Sequence, residues 1–327
     1  MTKSCYAVMR LLIVGVSMAI AAPSFAQQAY PNKPIRFIVP YPPGGTTTPL
    51  AHLVGQKISE SWGQPVIVDN RPGGNTFIGT EALVRSANDG YTIMLAAGSL
   101  TLVPQLIPAP YDPLKDLAPV ATFARTAFIL LVNPSVPANN LKELIAHAKS
   151  KPGQLNYATP GAGGPQHLAH ELLNLAAGIK TQHIPYKGAG PALTDLIGGQ
   201  VQMYFSTTVT AIPHVKAGKI RAIAISGDSR LPALPQVPTF AQAGLTGLDS
   251  QGVWYGVITP AGTPKAVINK MSTEIGKFMA MPDFKEKLLA QGLSLFYSNP
   301  EQFAALLNAD TASYAKVIKA ANIKFEN

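Results

Sequence analysis

Short runs of apolar and β-branched residues alternate with amphipathic segments along most of the chain. Such runs, bounded by Gly, Pro or polar clusters, are typical of buried strands. The predicted strands are 35–39, 66–68, 92–95, 128–132, 155–158, 181–184, 201–205, 220–225 and 253–258. Helical periodicity predicts helices over 49–62, 141–149, 165–177 and 191–198, and apolar stripes predict two more over 267–278 and 303–318. This alternation favours mostly parallel sheets covered by helices on both faces.

Several predicted helices begin with a small residue followed by proline, whose missing N–H and fixed φ suit the first helical position. These pairs lie at 48–49, 164–165, 190–191, 263–264 and 299–300. Two starts also have the spacing of a capping box, Asn140 with Glu143 and Asn299 with Gln302. The chain therefore marks its strand-to-helix turns clearly.

Composition places the chain among globular proteins. Its 327 residues are 47% hydrophobic and 13% charged, which excludes a disordered chain and a disulfide-stapled mini-protein. The length predicts two domains, each large enough to bury its own core. We therefore expect two lobes with a cleft between them.

The first 26 residues have the layout of a cleaved secretory signal. Lys3 and Arg10 precede an apolar run over 11–22, and a small-residue cleavage site ends at Ala26. Cutting is expected before Gln27, and the only cysteine, Cys5, would leave with the leader. The exported chain would then lack a thiol nucleophile, a disulfide and a Cys-ligated metal. No later stretch is long and apolar enough for a membrane span.

The formal net charge of +9 falls by two when Lys3 and Arg10 are removed. The remaining lysines and arginines are scattered singly or in loose pairs, without a basic helix face. This pattern argues against nucleic-acid binding and leaves only a weak general attraction for anions.

Two glycine-rich loops are the strongest candidates for a binding site. The first, 40–48, joins the strand 35–39 to a helix, and the second, 159–164, joins the strand 155–158 to a helix that carries Gln166 and His167. Ligands of open α/β sheets gather at such strand ends, where helix N-termini offer free N–H groups. Glycine-rich turns also serve as simple tight connections, and neither loop matches a nucleotide-binding fingerprint.

The enzyme motifs tested are missing. The sequence has no G-x-S-x-G elbow and no H-E-x-x-H. His167, His170 and Glu171 share a predicted helix and could hold a metal. We favour the alternative, in which His167 faces the loop as a hydrogen-bonding residue and His170 and Glu171 lie on the solvent side. We therefore predict no catalytic residue, no metal and no cofactor. An exported hydrolase or metal-dependent enzyme stays as the alternative.

Two cations and two aromatic residues have open roles. Arg71 and Lys187 could pair with a carboxylate ligand, but Arg71 could equally pair with Asp69 and Lys187 could be solvated. Trp254 and Tyr255 could line an aromatic slot, and we favour packing for both.

A set of short motifs resembles one family over essentially the whole mature chain. They are YPNKPI (30–35), VPYPPGG (39–45), VDNRPGG (68–74), DGYT (89–92), YDPLKD (111–116), LNYA (155–158), PYKG (185–188), GGQV (198–201) and TPAGTP (259–264). In this order they resemble the Bug family, the extracytoplasmic solute receptors of tripartite tricarboxylate transporters.

This resemblance implies an α/β, two-lobed type II periplasmic binding fold that closes around a small carboxylate. Lobe 1 would comprise 27–124 and 250–327 and lobe 2 would comprise 125–249, with crossings near 123–127 and 248–252. The implied ligand contacts come mainly from the two glycine-rich loops: Tyr41, Gly44, Gly45, Thr46, Thr47, Thr159, Gly161, Gly163, Gly164 and His167. Four further strand-end candidates are Gly98, Ser99, Ser206 and Thr207. The protein would be a periplasmic monomer that delivers a di-, tri- or aromatic carboxylate to membrane permease subunits. A sensor subunit of a signalling system stays open.

The chain departs from the family pattern in its first loop. Family members commonly have Gly-Gly-Gly-Thr-Asp where this chain has Gly-Gly-Thr-Thr-Thr over 44–48. Thr48 can still cap the helix, but a negative charge near the cleft is lost. We expect this change to disfavour amino-acid ligands, whose ammonium group would need that carboxylate.

Overall fold

The computed structural model describes residues 30–248 and 252–320, with only the backbone described at Ala320. The predicted leader and most of the predicted second crossing lie outside these residues. Described residues from Lys33 onward belong to one compact unit, while residues 30–32 hold no helix or strand. No helix in the described part of the chain is both long and apolar enough to cross a membrane.

The described residues form ten strands and ten α-helices. The strands are β1 (Ile35–Val39), β2 (Val66–Asn70), β3 (Thr92–Ala97), β4 (Leu117–Val132), β5 (Asn156–Thr159), β6 (Gln182–Pro185), β7 (Met203–Thr207), β8 (Arg221–Ile225), β9 (Gly252–Pro260) and β10 (Ser294–Ser298). The helices are α1 (Thr47–Trp62), α2 (Phe77–Val84), α3 (Ser99–Leu102), α4 (Leu141–Ser150), α5 (Pro165–Ala177), α6 (Ala189–Gly198), α7 (Thr208–Lys216), α8 (Lys265–Met279), α9 (Pro282–Ala290) and α10 (Pro300–Ala320). Short 3₁₀ turns cover Gly74–Thr76 and Val103–Gln105.

One long strand joins two sheets. The strand order is β2-β1-β3-β9-β4-β7-β5-β6, and β10 and β8 also pair with β4. Residues 117–127 of β4 pair with β9, whereas 128–132 pair with β7 and β8. We call the part built on β1, β2, β3, β9 and β10 lobe 1 and the part built on β5 to β8 lobe 2. The lobe boundaries predicted from the sequence stay a prediction.

The α/β fold is mixed, with helices flanking the sheets. The outer strands pair in parallel, β1 with β2 and β3, and β5 with β6 and β7. All antiparallel pairs involve β4 or β9. The first half of β4 was not predicted, because Pro119 and polar residues interrupt its apolar pattern. Its pairing with β9 is irregular at the same place, where the register shifts after Pro119 and after Thr122.

Each lobe buries its own apolar cluster. Ile38, Met94 and Phe303 belong to the cluster of lobe 1, and Ile129 and Tyr204 belong to that of lobe 2. All five are at most 1% exposed. Two separate cores on a shared strand give the two-lobed architecture expected from the sequence.

The helix starts confirm some cap predictions and correct others. Asn140 and Asn299 accept hydrogen bonds from the N–H groups of Glu143 and Gln302, both at 2.9 Å, as a capping box requires. Thr48 is not a cap, because α1 already begins at Thr47. The Thr48 hydroxyl instead accepts from Asn70 Nδ2 at 2.8 Å. The predictions at 190–191 and 263–264 were also displaced, since α6 begins at Ala189 and α8 at Lys265.

Candidate ligand-binding cleft

A cavity of about 650 Å³ lies where the two lobes meet. Lobe 1 contributes the loops that follow β1 and β2 together with the start of α3. Lobe 2 contributes the loops that follow β5 and β6 and the C-terminal end of β7. The cavity has the size of a small-molecule site, and it lies at strand ends, as the sequence predicts.

Eight of the fourteen residues singled out from the sequence line this cavity. They are Tyr41, Gly45, Thr46, Thr47, Ser99, Gly161, Gly164 and Thr207. The other six do not line it: Gly44, Gly98, Thr159, Gly163, His167 and Ser206. Thr159 and Ser206 are fully buried, and Gly98 lies against Tyr314 and Pro165. Contact of these fourteen residues with a ligand stays a prediction.

The two lobes touch across the cavity. The hydroxyls of Thr46 and Thr207 share a hydrogen bond between their Oγ1 atoms at 2.8 Å. A Cβ atom at Gly188 would lie only 2.5 Å from Cγ of Pro42. Gly188 has a φ of +119°, so both its conformation and its neighbour require glycine. The lobes are therefore in a closed arrangement.

The cavity favours anions through backbone rather than through many cations. The starts of α1, α2, α5, α6 and α7 all supply lining residues, as cap or as first residue. Helix N-termini carry unpaired N–H groups and partial positive charge. Lys187 is the one charged residue among the described residues that line the cavity. It forms no ion pair with any described residue.

Two histidines, the buried His167 and the half-buried His183, support the loop after β5. His167 Nδ1 accepts a hydrogen bond from the N–H of Gly163 at 3.0 Å, so that nitrogen carries no proton. Thr159 donates to the carbonyl of Gly161 at 3.0 Å and lies 2.7 Å from His183 Nε2. The rings of His167 and His183 stack at 3.9 Å. Burial lowers the pKa of His167 to about 4 and that of His183 to about 3, so both are neutral near pH 7.

The histidine geometry does not favour the metal alternative. The solvent-facing position predicted for His170 was wrong, because His170 stacks on the ring of Tyr157 at 3.6 Å and is fully buried. Glu171 accepts a hydrogen bond from the hydroxyl of Tyr157. Burial lowers the pKa of His170 well below its ordinary value. The described residues contain no group of three or more metal-ligating side chains of the His, Cys, Asp or Glu type.

Several lining residues were not predicted. Asn75 and Thr76 have φ values of +52° and +82° and line the cavity from the loop after β2. The adjacent glycines at 73 and 74 were the available signal, since they follow a strand as in the other two loops. Gln166 and Tyr186 also line the cavity.

The structure places the two cations and the two aromatic residues whose roles the sequence left undecided. Arg71 binds Asp69 at 2.9 Å and does not line the cavity, whereas Lys187 does. Trp254 donates to Asp310 Oδ2 at 2.6 Å and packs against Phe303, which confirms its packing role. Tyr255 is buried, as its favoured packing role requires, and it also lines the cavity.

Comparison with known proteins identifies the family. The model of the tripartite tricarboxylate transporter family receptor matches residues 50–323. Protein BugT of Bordetella pertussis (strain Tohama I) is 34% identical over 97% of this chain and 98% of its own length.

Two solved structures share the fold. One is Rpa4515 of R. palustris with adipate, at 31% identity and a TM-score of 0.87 over 90% of this chain and 99% of the other. The second is the periplasmic binding protein BugD, at 30% identity and a TM-score of 0.85 over 91% of this chain and 100% of the other. The chain therefore belongs to the tripartite tricarboxylate transporter receptor family of periplasmic solute-binding proteins, the family that the sequence motifs resemble.

Proposed function

We propose that this protein captures a small carboxylate between its two lobes and delivers it to the membrane component of a tripartite tricarboxylate transporter. The observation that carries the proposal is the cavity between the lobes, where five helix starts converge. None of the described residues that line it is acidic. An anion is favoured there by N–H groups and hydroxyls from both sides.

The two lobes would act together on the ligand. Thr46 and Thr47 come from lobe 1, and Gly161, Gly164 and Thr207 come from lobe 2. A carboxylate that accepts hydrogen bonds from both sides stabilises only the closed state, so binding shifts the population towards closure. The closed surface would then be what the permease recognises.

Three further parts of the proposal follow from the sequence. The chain would reach the periplasm through a cleaved leader over 1–26. It would bind as a monomer without covalent chemistry, and lobe 1 (27–124 and 250–327) would close on lobe 2 (125–249). Amino acids would be disfavoured, because their ammonium group finds no carboxylate among the described lining residues. Rpa4515 with adipate supports a carboxylate ligand, since it is a related protein of the same fold.

A ligand screen on the mature chain, 27–327, tests this function. Calorimetric titration and thermal unfolding would be measured with mono-, di- and tricarboxylates, amino acids, sugars and divalent metals. A carboxylate at about 100 times its Kd should add about 2.7 kcal/mol to the free energy of unfolding. Stabilisation by zinc alone, or chelator-sensitive turnover of an ester, would instead support an enzyme. Preference for aspartate or glutamate over succinate would contradict the predicted exclusion of amino acids.

A further inference from the structure

Four tyrosines line the cavity, two from each lobe. Tyr41 and Tyr255 belong to lobe 1, and Tyr186 and Tyr204 belong to lobe 2. Aromatic side chains at a site contribute flat apolar area and specific ring-to-ring geometry.

The hydroxyls of two of these tyrosines are engaged by the protein. The Tyr41 hydroxyl is hydrogen-bonded to Ser99, and the Tyr186 hydroxyl donates to Asp195 Oδ2 at 2.7 Å. Tyr204 and Tyr255 are only 1% and 2% exposed, so little of either side chain meets the cavity. Tyr41 and Tyr186 are half-buried, and they therefore offer the cavity ring surface rather than free phenol groups.

The rest of the wall is also rich in apolar groups. Pro42 and Pro72 line the cavity from lobe 1 and Pro160 and Pro165 from lobe 2, together with Val253. Proline rings lack an N–H and cannot donate to an anion. About 650 Å³ leaves room for a ring between these surfaces.

The charge of the wall suits one carboxylate better than two. Lys187 is the single cation among the described lining residues, and its side chain is exposed. Hydroxyls and helix N-termini can hold one carboxylate. A second carboxylate would lie against rings and prolines, where an uncompensated charge is costly.

We propose that the preferred ligand is an aromatic monocarboxylate, with its single carboxylate at the helix N-termini and its ring among the tyrosines. The inference rests on the proposed carboxylate-receptor function and narrows the ligand class within it. It differs from the adipate bound by Rpa4515, which is an aliphatic dicarboxylate.

Matched ligands test the inference on the unaltered mature chain. Benzoate and terephthalate share a ring and differ by one carboxylate, hexanoate and adipate differ in the same way without a ring, and benzyl alcohol lacks the charge. We expect benzoate to bind about tenfold more tightly than terephthalate, which adds an uncompensated second carboxylate, and about tenfold more tightly than hexanoate, which lacks the ring. Tighter binding of terephthalate than benzoate, or of adipate than benzoate, would overturn the inference.

The same panel separates this inference from the broader function. If adipate binds best, the carboxylate receptor stands and the aromatic monocarboxylate falls. If benzyl alcohol binds as well as benzoate, or if no carboxylate binds, the carboxylate function falls as well.

A substitution tests the contribution of a ring. Tyr186→Leu removes the ring from the cavity wall, and Tyr297→Leu is its control, since Tyr297 is 40% exposed and bonded to Ser272 outside the cavity. Tyr186→Leu should weaken benzoate about fivefold and adipate less than about twofold. Equal losses for both ligands would contradict a ring-specific contact. Thermal unfolding of both variants verifies that they are folded.

Discussion

The two glycine-rich loops face the same cavity but present different groups to it. The loop of lobe 1, over 40–48, presents side chains, with Tyr41, Thr46 and Thr47 in its lining. The loop of lobe 2, over 159–164, presents mainly backbone, with Gly161 and Gly164 in its lining. The two loops therefore have different roles although their composition is similar. The loop of lobe 1 supplies hydroxyl groups, and the loop of lobe 2 lets a ligand approach the backbone closely.

The side chains that support the two loops also differ. In lobe 1, Asn70 Nδ2 donates to the carbonyl of Tyr41 at 3.0 Å and to the hydroxyl of Thr48 at 2.8 Å. In lobe 2 the corresponding support comes from the buried His167 and the half-buried His183. An amide does not titrate in the physiological range, whereas a histidine does. We therefore expect the stability of the lobe 2 loop to depend on pH and the stability of the lobe 1 loop not to.

The largest expected effect is acid destabilisation through the histidines of lobe 2. The unfolded chain takes up a proton at His167 below its ordinary pKa of 6.5, whereas the folded chain does so only at about 4. Stability from this residue is therefore complete above pH 6.5 and falls as the pH drops to 4. The loss is about 1.4 kcal/mol per pH unit, or about 3 kcal/mol over the window. Urea unfolding between pH 7 and pH 4 measures it.

A variant and its control isolate this titration. His167→Asn keeps an acceptor near the position of Nδ1 but cannot take up a proton. Between pH 6.5 and pH 5 it should lose about 2 kcal/mol less than the unaltered chain. His52→Asn, at an exposed histidine outside the cluster, is the matched control. If His167→Asn keeps the full pH dependence, the acid sensitivity arises elsewhere.

Gly188 of lobe 2 lies against Pro42 of lobe 1. Substitutions at Gly188 and at the nearby Gly190 test whether this close contact is needed for closure. Gly188→Ala adds a Cβ that would lie 2.5 Å from Cγ of Pro42 in the closed arrangement and strains a positive φ. We expect ligand affinity to fall about tenfold or more, because the clash with Pro42 arises only in the closed arrangement, whereas the backbone strain is present whether the lobes are open or closed. Gly190→Ala is the control, because no atom lies within 4 Å of its Cβ position. Calorimetric titration distinguishes the two, and equal affinities would show that the contact with Pro42 does not limit closure.

On the side of lobe 1, the hydroxyl of Thr46 also contacts the other lobe. Thr46→Val keeps the shape but removes the 2.8 Å hydrogen bond to Thr207 across the cleft. A hydrogen bond contributes about 1 kcal/mol net, so ligand affinity should fall about fivefold if the bond stabilises the closed state. Thr48→Val removes a hydroxyl bonded within lobe 1, to Asn70, and should change affinity less than about twofold. Similar losses in both variants would mean that the link between lobes is not the cause.

The sequence predicted what depends on local pattern and missed what depends on contact between distant segments. β1 was predicted with its observed bounds, because its apolar run is continuous. Helix α2 was missed, since it follows the turn at Asn75 and Thr76, whose positive φ values are rare outside glycine. The closeness of Gly79 in α2 to Pro40 is equally invisible in sequence, although a Cβ there would lie 2.7 Å from that ring.

The same distinction holds for the cleft: its local features could be predicted from the sequence, and its long-range contacts could not. Strand-end position and glycine content identified both loops, and eight of the residues chosen line the cavity. The pairing of Thr46 with Thr207 joins residues 161 positions apart, and no spacing rule reveals it. The loop-facing hydrogen-bond role considered for His167 is confirmed by its contact with Gly163, but the sequence could not rank it against a ligand contact, because both roles use the same residue type.

The smallest expected effect separates the two cations that the sequence could not rank. Lys187 lines the cavity from lobe 2 without an ion pair among the described residues, whereas Arg71 of lobe 1 is 2.9 Å from Asp69 and outside the lining. Lys187→Gln should weaken carboxylate binding about threefold at low salt and less at 1 M salt, because exposed charges are screened. Arg71→Gln should leave affinity unchanged. A larger loss from Arg71→Gln would mean that lobe 1, as well as lobe 2, contributes charge to the site.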